Sequence, residues 1–167
     1  MVWTACSSSP GAGADAGADA GADAANDADR CASAYALAPV TVTGTSPRGS
    51  LDGFHYAVAG YFSCPDSGQE DGYTVTFVPS KTALDCADTS LRLSIFAPSA
   101  MAGTHRALAD LSPPPNVLTD MVTFEAAQLD PPSAMPSHIV GHFVSHDPAW
   151  SFDLPVDLTT QLTARCL

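Results

Sequence analysis

Positive charge is what this chain has least of. Its 167 residues carry 6 Lys and Arg against 18 Asp and Glu, a formal net charge of -12. Nucleic-acid binding needs clustered cations to displace phosphate counterions, so no nucleic-acid partner is expected. No stretch approaches the ~18 consecutive apolar residues of a transmembrane helix. None of the five cysteines stands in Cys-x-x-Cys spacing, which removes most zinc-ribbon and thioredoxin-like readings. Gly-x-Ser-x-Gly, His-Glu-x-x-His and a phosphate-binding glycine loop are all missing. No catalytic residue and no cofactor is therefore assigned. The length suits one domain.

The low-complexity stretch comes first. From Ser7 to Arg30 the chain uses only Ser, Gly, Ala and Asp besides single Pro, Asn and Arg residues, and Ala-Gly-Ala-Asp recurs with Asp15, Asp19, Asp23 and Asp27. Nothing here is large and apolar, so no burial offsets an ordering entropy of about 1–2 kcal/mol per residue. Helix formation would stack the aspartates at i, i+4 and place a glycine in most turns. A calcium-binding repeat would need a different glycine pattern and a bidentate glutamate. Residues 7–30 are expected to be a disordered tether with a root-mean-square span of roughly 25–30 Å.

Directly before the tether stands Trp3-Thr4-Ala5-Cys6-Ser7-Ser8-Ser9. This segment resembles the end of a bacterial lipoprotein signal, in which a small residue precedes a cysteine that becomes the lipid-bearing N-terminus. The resemblance covers the N-terminal tenth of the chain and departs from the usual pattern at Trp3. It implies that residues 1–6 are the remnant of a signal whose apolar region lies upstream of Met1. It also implies lipidation at Cys6, membrane association only through that lipid, and a place in the bacterial cell envelope, as an outer-membrane lipoprotein or a secreted form. The ligand or envelope component it would meet is not named by the sequence.

Setting Cys6 aside leaves Cys31, Cys64, Cys86 and Cys166, an even number with three possible pairings. An oxidising compartment favours two disulfides, with Cys64–Cys86 and Cys31–Cys166 preferred.

Residues 31–167 are expected to form an all-β domain. Alternation of period two runs through Phe54, Tyr56, Val58 and Phe62; Tyr73, Val75 and Phe77; Leu91, Leu93 and Ile95; Val122 and Phe124; and Trp150, Phe152, Leu154, Val156 and Leu158. Val40 and Val42 suggest a short first strand, and Ile139 to Val144 another. Seven or eight short strands predict an antiparallel β-sandwich, with a small β-barrel as the alternative. Short helices fit only around Ala97–Ala102 or Arg106–Leu111. Pro155 lacks an amide hydrogen, so its strand should be an edge or break there. Proline-rich connections at 111–116 and 129–136 read as longer than turns.

The sharpest constellation is His138, His142 and His146. On a helix they would form a stripe able to share a metal. On a strand they share a face, but each step of four residues advances about 13 Å, too far for one ion without a partner such as His55 or His105. The strand reading is preferred. Asp88-Thr89-Ser90 matches the short element of aspartic proteases, but that chemistry needs two aspartates sharing a proton and the tripeptide occurs once.

Overall fold

The computed structural model describes residues 37–63, 72–81, 91–98, 102–130 and 137–165, with the side chains of 62, 63, 98 and 161–165 left aside. The strands are β1 (Ala38–Pro39), β2 (Gly44–Ser46), β3 (Gly49–Ser50), β4 (Tyr56–Ser63), β5 (Gly72–Val78), β6 (Arg92–Pro98), β7 (Gly103–Ser112), β8 (Val117–Leu129), β9 (His138–Ser145) and β10 (Ser151–Arg165). Among the described residues there is no helix. The chain is all-β, and of the two architectures expected it adopts the barrel.

Strands β4 to β10 form an up-and-down meander in which each pairs antiparallel with the next. Seven is an odd number, so the first and last strands run in the same direction. Closure must then be parallel, and β4 and β10 do pair in parallel, from Thr160 opposite Ala59 to Arg165 opposite Ser63. A closed wall satisfies backbone groups that a sandwich would leave on sheet edges.

The inward rows explain why so narrow a barrel can close. Tyr73, Val75, Phe77, Leu93, Ile95, Val122, Phe124, Ile139, Phe143, Leu154, Val156 and Leu158 fill the interior, and Ala57, Ala59, Ala97, Ala107, Ala109 and Ala126 make room for them. Small positions opposite large ones let the layers interdigitate. Phe124 and Phe143 are register partners, and their rings stack 4.4 Å apart at 20°. Outward positions carry Thr74, Thr76, Glu125, Asp153 and Asp157, where a membrane-spanning barrel needs an apolar belt.

Three expectations are corrected by this packing. The segment Arg106–Leu111 lies in β7 and Ala97 lies in β6, because Ala97, Ala107, Ala109 and Leu111 alternate inward across the barrel. On β4 the core row is Ala57, Ala59 and Tyr61, and Tyr56 and Val58 fall on the opposite face. The barrel wanted small residues there, so the larger apolar ones marked the wrong row. The connection after Ser112 is a tight turn of Pro113 to Asn116, with Arg48 Nη1 donating to the Pro113 carbonyl at 2.8 Å.

Val40 and Val42 lie between two strands instead of within one. Pro39 of β1 pairs with Tyr56 of β4, and Gly44 of β2 pairs with Phe152 of β10. Residues 40–43 therefore strap across from one wall strand to the other. Val42 is buried with Leu51, Phe54, Trp150 and Phe152 and plugs that end of the barrel. Gly44, at φ +139°, lets the strap dock, since a Cβ there would collide with the Ser151 carbonyl.

Candidate functional site

The histidine row falls on β9 as a strand predicts. His138 and His142 point outward, flanking Ile139, Gly141 and Phe143, which face the core. His146 follows the strand's last residue. Each ring has a different partner. His138 Nε2 donates to Asp157 Oδ1 at 2.6 Å, and His142 Nδ1 donates to Asp153 Oδ1 at 2.9 Å. A carboxylate only accepts, so these bonds fix which ring nitrogen carries the proton. His146 Nε2 and the Thr123 hydroxyl lie 2.8 Å apart.

The aspartates come from β10, diagonally across the ladder: Asp157 is opposite Val140, and Asp153 is opposite Val144. On the other side of β9, Glu125 of β8 is opposite His142. The outer wall thus carries two His–Asp pairs with a third carboxylate beside them. Both pairs are exposed, and pairs of that kind contribute about 0–1 kcal/mol each. Among the described residues no three His, Cys, Asp or Glu side chains converge as a metal site. Asp153 on Nδ1 orients His142 as a general base would be oriented. Among the described residues, though, no hydroxyl or thiol bonds its Nε2, so the geometry stops at a dyad.

Beside this row runs an open groove of about 520 Å³. Pro39 of β1 with Val40 and Thr41 of the strap form one side, and Val140, His142, Pro155 and Asp157 of β9 and β10 form the other, with Ala127 at one end. Gly141 and Val156 also line it, and their inward orientation means that they do so through main chain. The groove is apolar in its walls, with an imidazole and a carboxylate at its rim.

A second polar cluster sits at the far end of the barrel. Asp130, following β8, accepts from Gln128 Nε2 at 3.0 Å and from the His138 amide at 3.0 Å, and these bonds, the Gln128 one foremost, hold its carboxyl below the usual range. The Tyr73 hydroxyl donates to the Asp130 carbonyl, and burial pushes the phenol upward. The Ser137 amide donates to Thr160 Oγ1 at 2.8 Å, while that hydroxyl donates to the Ser137 carbonyl at 3.2 Å. Among the described residues no buried side-chain polar atom lacks a partner, so this cluster fastens the β8–β9 connection and asks for no ligand.

Cys6, Cys31, Cys64, Cys86 and Cys166 lie outside the described residues, as do the tether and Asp88-Thr89-Ser90. His55 precedes β4, where its amide donates to the Val78 carbonyl at 3.0 Å, and His105 is on β7, opposite Phe124. Neither strand adjoins β9. No protein family, curated protein or solved structure matches the chain. The site therefore rests on its geometry.

Asp153 and Asp157 were missed by sequence reasoning, which treated the β10 segment as a core-facing alternation. The signal was present in the same alternation: Ser151, Asp153, Pro155 and Asp157 are its outward half.

Proposed function

We propose that this chain is a cell-envelope-tethered β-barrel domain whose outer wall is a binding surface. The observation that carries the binding reading is the groove beside the His138–Asp157 and His142–Asp153 pairs. The inward rows are occupied by large side chains, so the wall's exterior is where this fold offers a concave surface. The tether reading is supported by the acidic, alanine- and glycine-rich residues 7–30 following Cys6. A lipid on Cys6 would hold the barrel at a membrane with the span of that segment between them. Outer-membrane attachment fits the resemblance at Ala5-Cys6-Ser7.

Two measurements test it. Expression in a Gram-negative host with a lipoprotein signal's charged and apolar regions restored ahead of Met1, followed by mass analysis of the mature N-terminus, should find the chain beginning at an acylated Cys6; an unmodified Cys6 in exported protein refutes the anchor. In the same material Cys31, Cys64, Cys86 and Cys166 should resist alkylation until reduced. Each disulfide would stabilise by about 2–4 kcal/mol, so reduction should lower the melting temperature markedly.

A further inference from the structure

We propose that the groove takes a small organic cation, an ammonium or guanidinium group on a short apolar body. This rests on the reading of the groove as the binding surface and states what occupies it. The strand registers show why the wall is concave there. On the outer face, Val140 of β9 is opposite Asp157 of β10, and His142 is opposite Pro155. Apolar and polar residues thus take alternate corners of one square. Toward β8, Ala127 falls at the register shift between Ala126 and Gln128 and stands exposed. Beyond β10, the chain from Ala38 to Ser46 runs between β4 and β10, antiparallel to both, and brings Pro39, Val40 and Thr41 alongside. Short side chains therefore make the floor, and His142 and Asp157 stand at its rim. A hollow of about 520 Å³ suits a small molecule.

The rim offers acceptors. Asp157 makes one side-chain bond among the described residues, through Oδ1 to His138, so Oδ2 keeps its lone pairs. His142 donates from Nδ1 to Asp153, and in the neutral ring this leaves Nε2 as an acceptor with no partner among the described residues. Of the lining side chains, only the Thr41 hydroxyl can also donate. A ligand rich in N–H donors matches these atoms, whereas a carboxylate or phosphate would set lone pairs against lone pairs.

Charge points the same way. Asp157 lines the groove, Asp153 stands two residues before Pro155 on the same face, and Glu125 is opposite His142; all three are exposed. Strands β8 and β9 and residues 38–46 contain no Lys or Arg, and β10 contains only Arg165, at its far end. Arg106, on the next strand β7, is bonded to Asp120. The field at this wall is therefore negative. A neutral ligand would cover the Asp157 carboxylate without replacing the water it loses, and a cation compensates it. The apolar body lies on Val140, Pro155 and Pro39, contacts that a bare inorganic ion would leave unused.

The probe is benzylammonium, titrated at neutral pH into the uniformly nitrogen-15-labelled full chain, with benzyl alcohol and benzoate as neutral and anionic analogues of similar size. A cation site predicts saturable amide shifts at Thr41, Ala127, Gly141 and Asp157, with a Kd of roughly 1–10 mM as expected of so small a ligand. Neither analogue should saturate. Two variants, checked for folding by circular dichroism, read the site. Asp157→Asn should weaken binding about threefold, as loss of one exposed charge pair does. Thr41→Lys sets a competing ammonium on the exposed strap and should abolish binding. Benzyl alcohol or benzoate binding at the same amides as tightly as benzylammonium, or full affinity in either variant, overturns the cation reading and leaves the groove as a binding surface. Saturable shifts on another face, or none with any of the three probes, overturn both.

Discussion

Gly141→Ala should destabilise the barrel, and the steric reason is local. Gly141 faces the interior on β9, opposite Ala126 of β8. A Cβ there would stand 2.7 Å from Phe124 Cε2 and 3.1 Å from the Ala126 Cα, and nearer still to the Glu125 carbonyl oxygen. Two of these three are main-chain atoms of β8, which no rotamer change moves. The Phe124 ring is itself held by its stack on Phe143. Forcing a methyl into a packed core costs about 1–3 kcal/mol. Removing glycine from the unfolded chain returns about 0.4–1 kcal/mol. The net is a loss of about 1–2 kcal/mol, and a domain of this size should melt about 3–10 °C lower. Gly53→Ala is the control, since nothing lies within 4 Å of a Cβ there; it should change stability by less than about 0.5 kcal/mol. Urea denaturation of both variants checks the pair. A Gly141→Ala protein as stable as Gly53→Ala would refute the interior packing described for β8 and β9.

Two further outcomes are expected. The lowered pKa of Asp130 means that the folded state holds its proton less tightly than the unfolded chain, so its contribution is present above the ordinary carboxylate pKa and lost as pH falls through the folded value; between pH 5 and pH 3 the wild-type melting temperature should fall more steeply than that of Asp130→Asn. Zinc titration of the metal-free chain should give no one-to-one site tighter than micromolar, and a stoichiometric site abolished by His142→Ala would show that the outer histidines rearrange around an ion.

Strands were legible wherever large apolar residues alternate with polar ones. Tyr73, Val75 and Phe77, then Leu93 and Ile95, then Phe152 to Leu158, all face the core as their period indicates. What misled was size. Alanine at 57, 59, 107 and 109 fills inward positions because a seven-stranded barrel has little room, and alanine carries no strand signal. Leu108 and Leu111 then imitate a helical spacing, although Leu108 is exposed and sits at a register shift between β7 and β8. The histidines could be placed on one outward face from spacing alone. Their aspartates could not, because Asp153 and Asp157 meet them through a register that only closure of the wall fixes.

Pro155 shows how a residue-level inference can hold through an architecture that was not the one preferred. Its missing amide requires a side without a ladder, and the sandwich supplied that as an outer strand. In the barrel, β10 lies in the middle of a closed wall and is still unpaired beside Pro155. The cause is a mismatch of length. Parallel closure makes β4 and β10 start at the same end, yet β10 has 15 residues and β4 has 8. Their pairing begins at Thr160, the tenth residue of β10, and at Ala59, the fourth of β4. The first half of β10 therefore runs ahead of its neighbour, and the chain from Ala38 to Ser46 fills the space between them, paired with β4 at Ala38 and Pro39 and with β10 at Gly44 and Thr45. The stretch of β10 beside Pro155 is thus covered by the strap and carries no ladder there. Pro155 is tolerated because its neighbour on that side is the strap and not a ladder strand that would require its amide.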